Sequence, residues 1–124
     1  MLYAVVDIET TGGFASGNAI TEISVLVYDG QKIITRFETL INPDMEIPPY
    51  IEALTGINND MVMDAPLFKD VAAEIYELLH DKIFVAHNVN FDFSFVKHHL
   101  SLSGYELSCK KLCTVRLSRK LLPG

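Results

Sequence analysis

The first nine residues constrain this chain more than any other segment. Leu2-Tyr-Ala-Val-Val-Asp-Ile-Glu9 is a nearly continuous apolar run interrupted only by Asp7 and Glu9, and Thr10-Thr-Gly-Gly13 ends it. Such a run reads as a central strand buried on both faces. Residues two apart on a strand leave the same face, with Cα atoms about 7 Å apart. Two metals sharing ligands sit roughly 3.5–4 Å apart and take oxygen donors at about 2.0–2.1 Å, so two short carboxylates converging from that separation can hold such a pair. Without cations, like charges this close raise each other's pKa and oppose folding. The pair is therefore either a water-exposed strand end or part of a two-metal site. The glycine-rich loop beside it permits close backbone approach.

The remaining chain alternates strands and helices. Ala19–Tyr28, with Ile23, Val25 and Val27 in alternation, reads as a second strand, and Asp29-Gly30 as a two-residue hairpin turn. A third strand is expected over Lys32–Ile41, with Ile33, Thr35, Phe37, Thr39 and Ile41 on one face. Tyr50–Leu54 reads as a short helix ending at Gly56. Asp64-Ala-Pro66 reads as the entry to a helix carrying Leu67, Val71, Ile75, Leu78 and Leu79 at helical spacing. Lys82–Ala86 is a short strand leading into His87-Asn-Val-Asn-Phe-Asp92. Phe91, Phe93 and Phe95 alternate as in a strand, yet the order strand, loop, helix favours a helix from about Asn88. Lys111–Val115 reads as a last strand and Leu117–Leu122 as the start of another helix. The sum is a mixed α/β sheet flanked by helices, in one domain.

Composition sets limits. At 124 residues, 49% hydrophobic and 21% charged, the chain is sized and composed as one globular domain. No apolar stretch approaches the roughly 20 residues a membrane span needs, and the N-terminus lacks a signal-peptide pattern, so no membrane association and a cytoplasmic location are expected. Cys109 and Cys113 have no second pair to complete a zinc site and read as reduced thiols. The net charge of −6 speaks against nucleic acid unless divalent metal covers several carboxylates. Lys110, Lys111, Arg116, Arg119 and Lys120 form a basic cluster near the C-terminus, a weak pointer to phosphate or simply a solvated face.

Asp92 adds a third acid, near a helix start where the dipole favours it. Asp-Ile-Glu-Thr-Thr-Gly followed by Leu54-Thr-Gly-Ile57 and then His87-Asn-Val-Asn-Phe-Asp92 resembles the ordered motifs of the DEDD (DnaQ-like) 3′–5′ exonuclease superfamily. That family includes the proofreading subunit of bacterial replicative DNA polymerase, ribonuclease T and oligoribonuclease. The resemblance implies a ribonuclease H-like sheet, its first three strands antiparallel and the later ones parallel. It implies that Asp7, Glu9 and Asp92 are catalytic and hold two Mg²⁺ or Mn²⁺ ions. One metal would activate a water and the other would stabilise the leaving 3′ oxygen. Ile8, Thr10, Thr11 and Gly12 would line the terminal nucleotide. Thr55 and Ile57 would wedge against the last bases, and His87, Asn88 and Phe91 would complete the pocket wall. The substrate would be a single-stranded 3′ end, DNA before RNA, releasing nucleoside 5′-monophosphates. A DNA polymerase is a candidate partner.

The family's third motif, His-x-x-x-x-Asp, is absent, and no aspartate follows Asp92. His98 and His99 read as surface residues; His99 shares Asp92's helix face but would sit about 10 Å along the axis, beyond hydrogen-bond reach of a metal-bound water. The expectation is an exonuclease domain over residues 1–124, C-terminally truncated and lacking its last helices, which binds metal weakly and hydrolyses DNA poorly. A second copy is a candidate cover for the face left bare. Two rivals stay open: an exoribonuclease or short-oligonucleotide hydrolase of the same family, and a non-catalytic nucleic-acid-binding domain with this fold.

Overall fold

A computed structural model describes residues 1–113. Nine elements follow in order: β1 (Tyr3–Thr10), β2 (Ile20–Tyr28), β3 (Ile33–Leu40), α1 (Pro49–Thr55), α2 (Asn59–Met63), α3 (Phe68–Leu79), β4 (Ile83–Ala86), α4 (Val89–Leu102) and β5 (Lys111–Cys113). The sheet order is β3-β2-β1-β4-β5. The β1–β2 and β2–β3 pairs are antiparallel, and β4 runs parallel to both β1 and β5. This is the mixed sheet expected. The helix expected over Leu117–Leu122 and the end of the Lys111–Val115 strand lie outside the described residues.

Strand β1 is central, but burial on both faces does not hold. Ala4, Val6, Ile8 and Thr10 are buried, whereas Tyr3, Val5 and Glu9 are half-buried and Asp7 is exposed. The buried side meets Ile23 and Val25 of β2, Ala72, Ile75 and Leu79 of α3, and Phe95, Val96 and Leu100 of α4 in one core. The described helices that join this core leave the Asp7 face open, and that open face carries the acids.

Two turns differ from the sequence reading. Four residues, Asp29 to Lys32, separate β2 from β3, so Asp29-Gly30 is not a two-residue loop. The Asp29 carboxylate instead accepts the Gln31 and Lys32 N–H groups at 2.8 and 2.9 Å, closing the turn by its side chain. A register shift between Val27 and Tyr28 pairs Tyr28 with Ile33 but Val27 with Thr35. Thr35, Phe37 and Thr39 keep the face expected for them, opposite Val27, Val25 and Ile23, while Ile33 leaves it. The helix entry at Asp64-Ala-Pro66 is also displaced. Asp64 caps the C-terminus of α2, a five-residue helix too short to show periodicity, and Asn58 caps its start by accepting the Met61 N–H at 2.9 Å. Helix α3 begins at Phe68, where the Asp70 carboxylate accepts the Leu67 N–H at 3.1 Å. Helix α1 ends at Gly56, whose φ of 77° is the left-handed C-cap conformation glycine adopts without strain. The ambiguous phenylalanine segment is helical. Phe95 is fully buried, and Phe91 packs on it with ring centres 5.0 Å apart.

Candidate active site

The site forms where β4 leaves the sheet before β1 does. The parallel pairing of β1 with β4 runs only from Tyr3–Ile83 to Val5–Val85. Beyond it β4 ends at Ala86, and His87-Asn88 turn the chain into α4. The last residues of β1 therefore keep β2 on one side and an open edge on the other. Helix α4 fills that gap with Asp92, whose carboxylate accepts the Ile8 backbone N–H. Asp92 is 7% exposed. Its carboxyl is pushed up to about 6, first by burial, then by the charge of Asp7 and less by that of Glu9, against the lowering effect of the backbone N–H bonds. Glu9 is raised for the same reasons in the same order, burial before Asp7, with Glu22 a further contributor. The three acids expected to act together are thus electrostatic neighbours at the carboxyl ends of parallel strands, where open α/β sheets place ligands.

Among the described residues no lysine or arginine forms an ion pair with Asp7, Glu9 or Asp92. Nor do any three His, Cys, Asp or Glu residues among them already stand as a closed metal cluster. The donor set, all carboxylate oxygen, suits a hard divalent ion such as Mg²⁺ or Mn²⁺. The uncompensated, buried Asp92 is the observation that fits one.

The other expected site residues fall into two groups. Thr10 and Thr11 are buried and knit the loop after β1. Thr10 Oγ1 donates to Gly12 O at 2.8 Å, and Thr11 exchanges bonds with Ala19, N to O at 2.9 Å and Ala19 N to Oγ1 at 3.0 Å. Ile8 lies in the core, and Gly12 is buried. Thr55 uses its hydroxyl within its own turn, donating to Ile51 O at 3.0 Å and accepting Ile57 N–H at 3.2 Å. The Ile57 side chain packs with Ile47, Ile51 and Val62 in a second small core, so the apolar surface this segment offers to a ligand is Leu54, 79% exposed. His87 and Asn88 are exposed at the β4–α4 turn and, with Asn90, Lys111 and Cys113, line a cavity of about 410 Å³. Phe91 is half-buried against Phe95.

Sequence reasoning missed three features. Glu22 stands directly opposite Glu9 in the β1–β2 register, and its carboxyl is raised by burial, then by Glu38 and Asp7. The signal was there in the polar alternation of Glu22 and Ser24, but the register was not. Phe14, at the loop tip, is 80% exposed. His99 is not a surface residue: it is half-buried between the Phe68 and Phe95 rings, and burial lowers its pKa.

A mixed parallel-and-antiparallel sheet with electrostatically coupled carboxylates near the end of its first strand is the arrangement of a nuclease-type α/β domain. The chain belongs to the RNase T exonuclease family, whose model matches residues 4–124. The 3′–5′ exonuclease DinG of Bacillus subtilis is 44% identical over 124 residues, covering 98% of this chain, and that of Staphylococcus aureus is 46% identical over 95 residues, covering 77%. The chain spans only 13% and 11% of their respective lengths. A complex of exonuclease X with 5′-overhanging duplex DNA is 32% identical with a TM-score of 0.70, covering 98% of this chain and 65% of that one. E. coli exonuclease I bound to a dA16 oligonucleotide has a TM-score of 0.81 at 17% identity, covering 98% of this chain and 30% of that one, and shows the shared fold. No helix among the described residues is long and apolar enough to cross a membrane.

Proposed function

We propose that this domain is the catalytic unit of a metal-dependent 3′–5′ exonuclease acting on DNA. The single observation that carries the reading is that Asp92, buried at the open edge of β1, stands close enough to Asp7 and Glu9 for their charges to help burial push its carboxyl up to about 6. Membership of the exonuclease family supports it, as do relatives named 3′–5′ exonucleases and a similar nuclease solved with DNA.

Asp7, Glu9 and Asp92 would hold two Mg²⁺ or Mn²⁺ ions. When bound, these supply an activated water and charge stabilisation at the leaving 3′ oxygen. The protein's own contribution is positional. The Ile8 N–H fixes the Asp92 carboxylate, and the internally bonded Thr10–Gly12 loop presents a rigid backbone wall to the terminal nucleotide. His87, Asn88 and Phe91 stand on the other side, at the turn into α4. Thr55 and Ile57 shape the segment that displays Leu54, so their part in wedging the last bases is to hold that surface. The product would be a nucleoside 5′-monophosphate. The relatives reported above are named as exonucleases rather than polymerase subunits, so a polymerase partner rests on motif resemblance alone.

The test is digestion of matched 5′-labelled single-stranded DNA and RNA by the protein carrying this domain, with Mg²⁺ or Mn²⁺. The reading expects a ladder shortening from the 3′ end of DNA, abolished by chelation and by Asp7→Ala. Preferential loss of RNA would move the assignment to an exoribonuclease. Metal-independent cleavage, or retention of activity by Asp7→Ala, would overturn it.

A further inference from the structure

One side chain outside every motif holds the loop beside the acids. Asn18 Oδ1 accepts the Thr11 hydroxyl at 3.1 Å, and Asn18 Nδ2 donates to Phe14 O at 2.9 Å, so one planar amide ties both halves of the Thr10–Phe14 loop. The assignment of its oxygen and nitrogen is self-consistent. Thr11 Oγ1 already accepts the Ala19 N–H, leaving its hydrogen to donate, whereas a carbonyl such as Phe14 O only accepts. Gly12 lies close against this amide. A Cβ at Gly12 would stand 2.4 Å from Asn18 Oδ1 and 2.7 Å from its Cγ, so the glycine is required by a neighbour rather than by its own dihedral angles.

Asn18 is in turn tied to the helical layer. His99 Nε2 lies 3.1 Å from Asn18 O, and since the carbonyl is the acceptor, Nε2 carries the hydrogen. The ring is held by Phe68, 5.5 Å away, and Phe95, 6.3 Å away. His99 is on α4, two turns beyond Asp92. The helix that delivers the third carboxylate therefore also delivers the strut for the loop that follows the first two.

We infer that Asn18, anchored by His99, is a positioning residue that sets the Thr10–Phe14 loop against the carboxylate site, so that the terminal nucleotide and the metal-binding acids are registered through one helix. The inference rests on the exonuclease reading and adds to it the residues that align its nucleotide wall. A loop staple with only a structural role would change stability. A positioning role changes nucleotide engagement while leaving the acids able to take a metal.

The two are separated by titrating the protein that carries this domain first with Mn²⁺ alone and then with thymidine 5′-monophosphate in saturating Mn²⁺. Asn18→Ala is expected to keep Mn²⁺ affinity within about twofold and to weaken nucleotide binding about tenfold, the scale set by losing two hydrogen bonds that order the loop, one part-buried and one exposed. His99→Phe keeps an aromatic ring but no donor and should behave like Asn18→Ala. His99→Gln places an N–H near the Nε2 position and should recover most of the binding. Gly12→Ala should weaken nucleotide binding in the native background but cost little more when Asn18 is already alanine, because both act through one contact. Unchanged nucleotide affinity in Asn18→Ala and His99→Phe would overturn the inference. So would metal and nucleotide binding that fall together with thermal stability, or no recovery with glutamine. If the unmutated protein carrying this domain takes up neither Mn²⁺ nor the nucleotide, the exonuclease reading itself fails, before any variant is compared.

Discussion

Asp92→Asn should make the metal-free protein more stable while removing its use for metal. In the native fold the Asp92 carboxyl is pushed from 3.8 up to about 6 by burial and by Asp7 and Glu9. At 1.36 kcal/mol per tenfold change in proton affinity, this corresponds to a ceiling of about 3 kcal/mol at pH 7.5. Water reaching the outer side of the site screens the neighbouring charges, which brings the expected gain to about 1–2 kcal/mol. Asparagine keeps an oxygen to accept the Ile8 N–H, so the substitution removes the charge without orphaning that donor. For a domain of this length the gain is a rise of about 4–8 °C in Tm. The pH dependence follows from linkage. The native state holds its proton up to about 6 and the unfolded chain only to about 3.9, so the group's contribution is full at low pH and is lost as pH rises through that window. Thermal melts followed by circular dichroism in chelator should show the variant ahead at pH 7.5 and level with the parent near pH 4. Adding Mn²⁺ should reverse the order at pH 7.5, because only the parent gains from binding. A variant less stable than the parent at pH 7.5 in chelator, or a difference independent of pH, would refute the reasoning.

Metal uptake should itself depend on pH. Since Asp92 must lose its proton to become a ligand, apparent Mn²⁺ affinity is expected to fall up to tenfold per unit below about pH 6 and to level off above it, as calorimetry at fixed ionic strength would show. Phe95→Ala empties the centre of the core between α4 and the sheet and should cost about 3–5 kcal/mol in denaturant unfolding. Gly56→Ala forces a side chain into the left-handed cap of α1 and should cost about 1 kcal/mol by the same method, with no effect on Mn²⁺ binding.

How far the sequence revealed this molecule depended on the range of the interactions involved. Hydrophobic alternation and turn residues located the strands and the long helices, because those signals are local. Alternation also put Asp7 and Glu9 on one face, and motif order singled out Asp92. The open face of β1 was hidden, since an apolar run does not say which neighbours cover it. Glu22 was hidden because facing Glu9 is a matter of register, which runs unbroken from Tyr3–Tyr28 to Glu9–Glu22 and shifts only beyond it. Asn18 and His99 were hidden because their contact spans eighty-one positions of chain and uses a backbone carbonyl that any residue could supply. The Asp29 turn was misjudged for a different reason: an Asp-Gly pair fits both a two-residue loop and a side-chain-closed turn, and only the geometry at Lys32 distinguishes them.

The central claim is that Asp7, Glu9 and Asp92 form one divalent-metal site. Paramagnetic broadening of backbone amide signals during a Mn²⁺ titration tests it directly, because the ion itself marks where it sits. The account predicts early, selective broadening over Asp7–Thr10 and around Asn88–Asp92, lost when Asp7 is replaced by alanine. Broadening spread evenly over the acidic surface, or unchanged by Asp7→Ala, would contradict it.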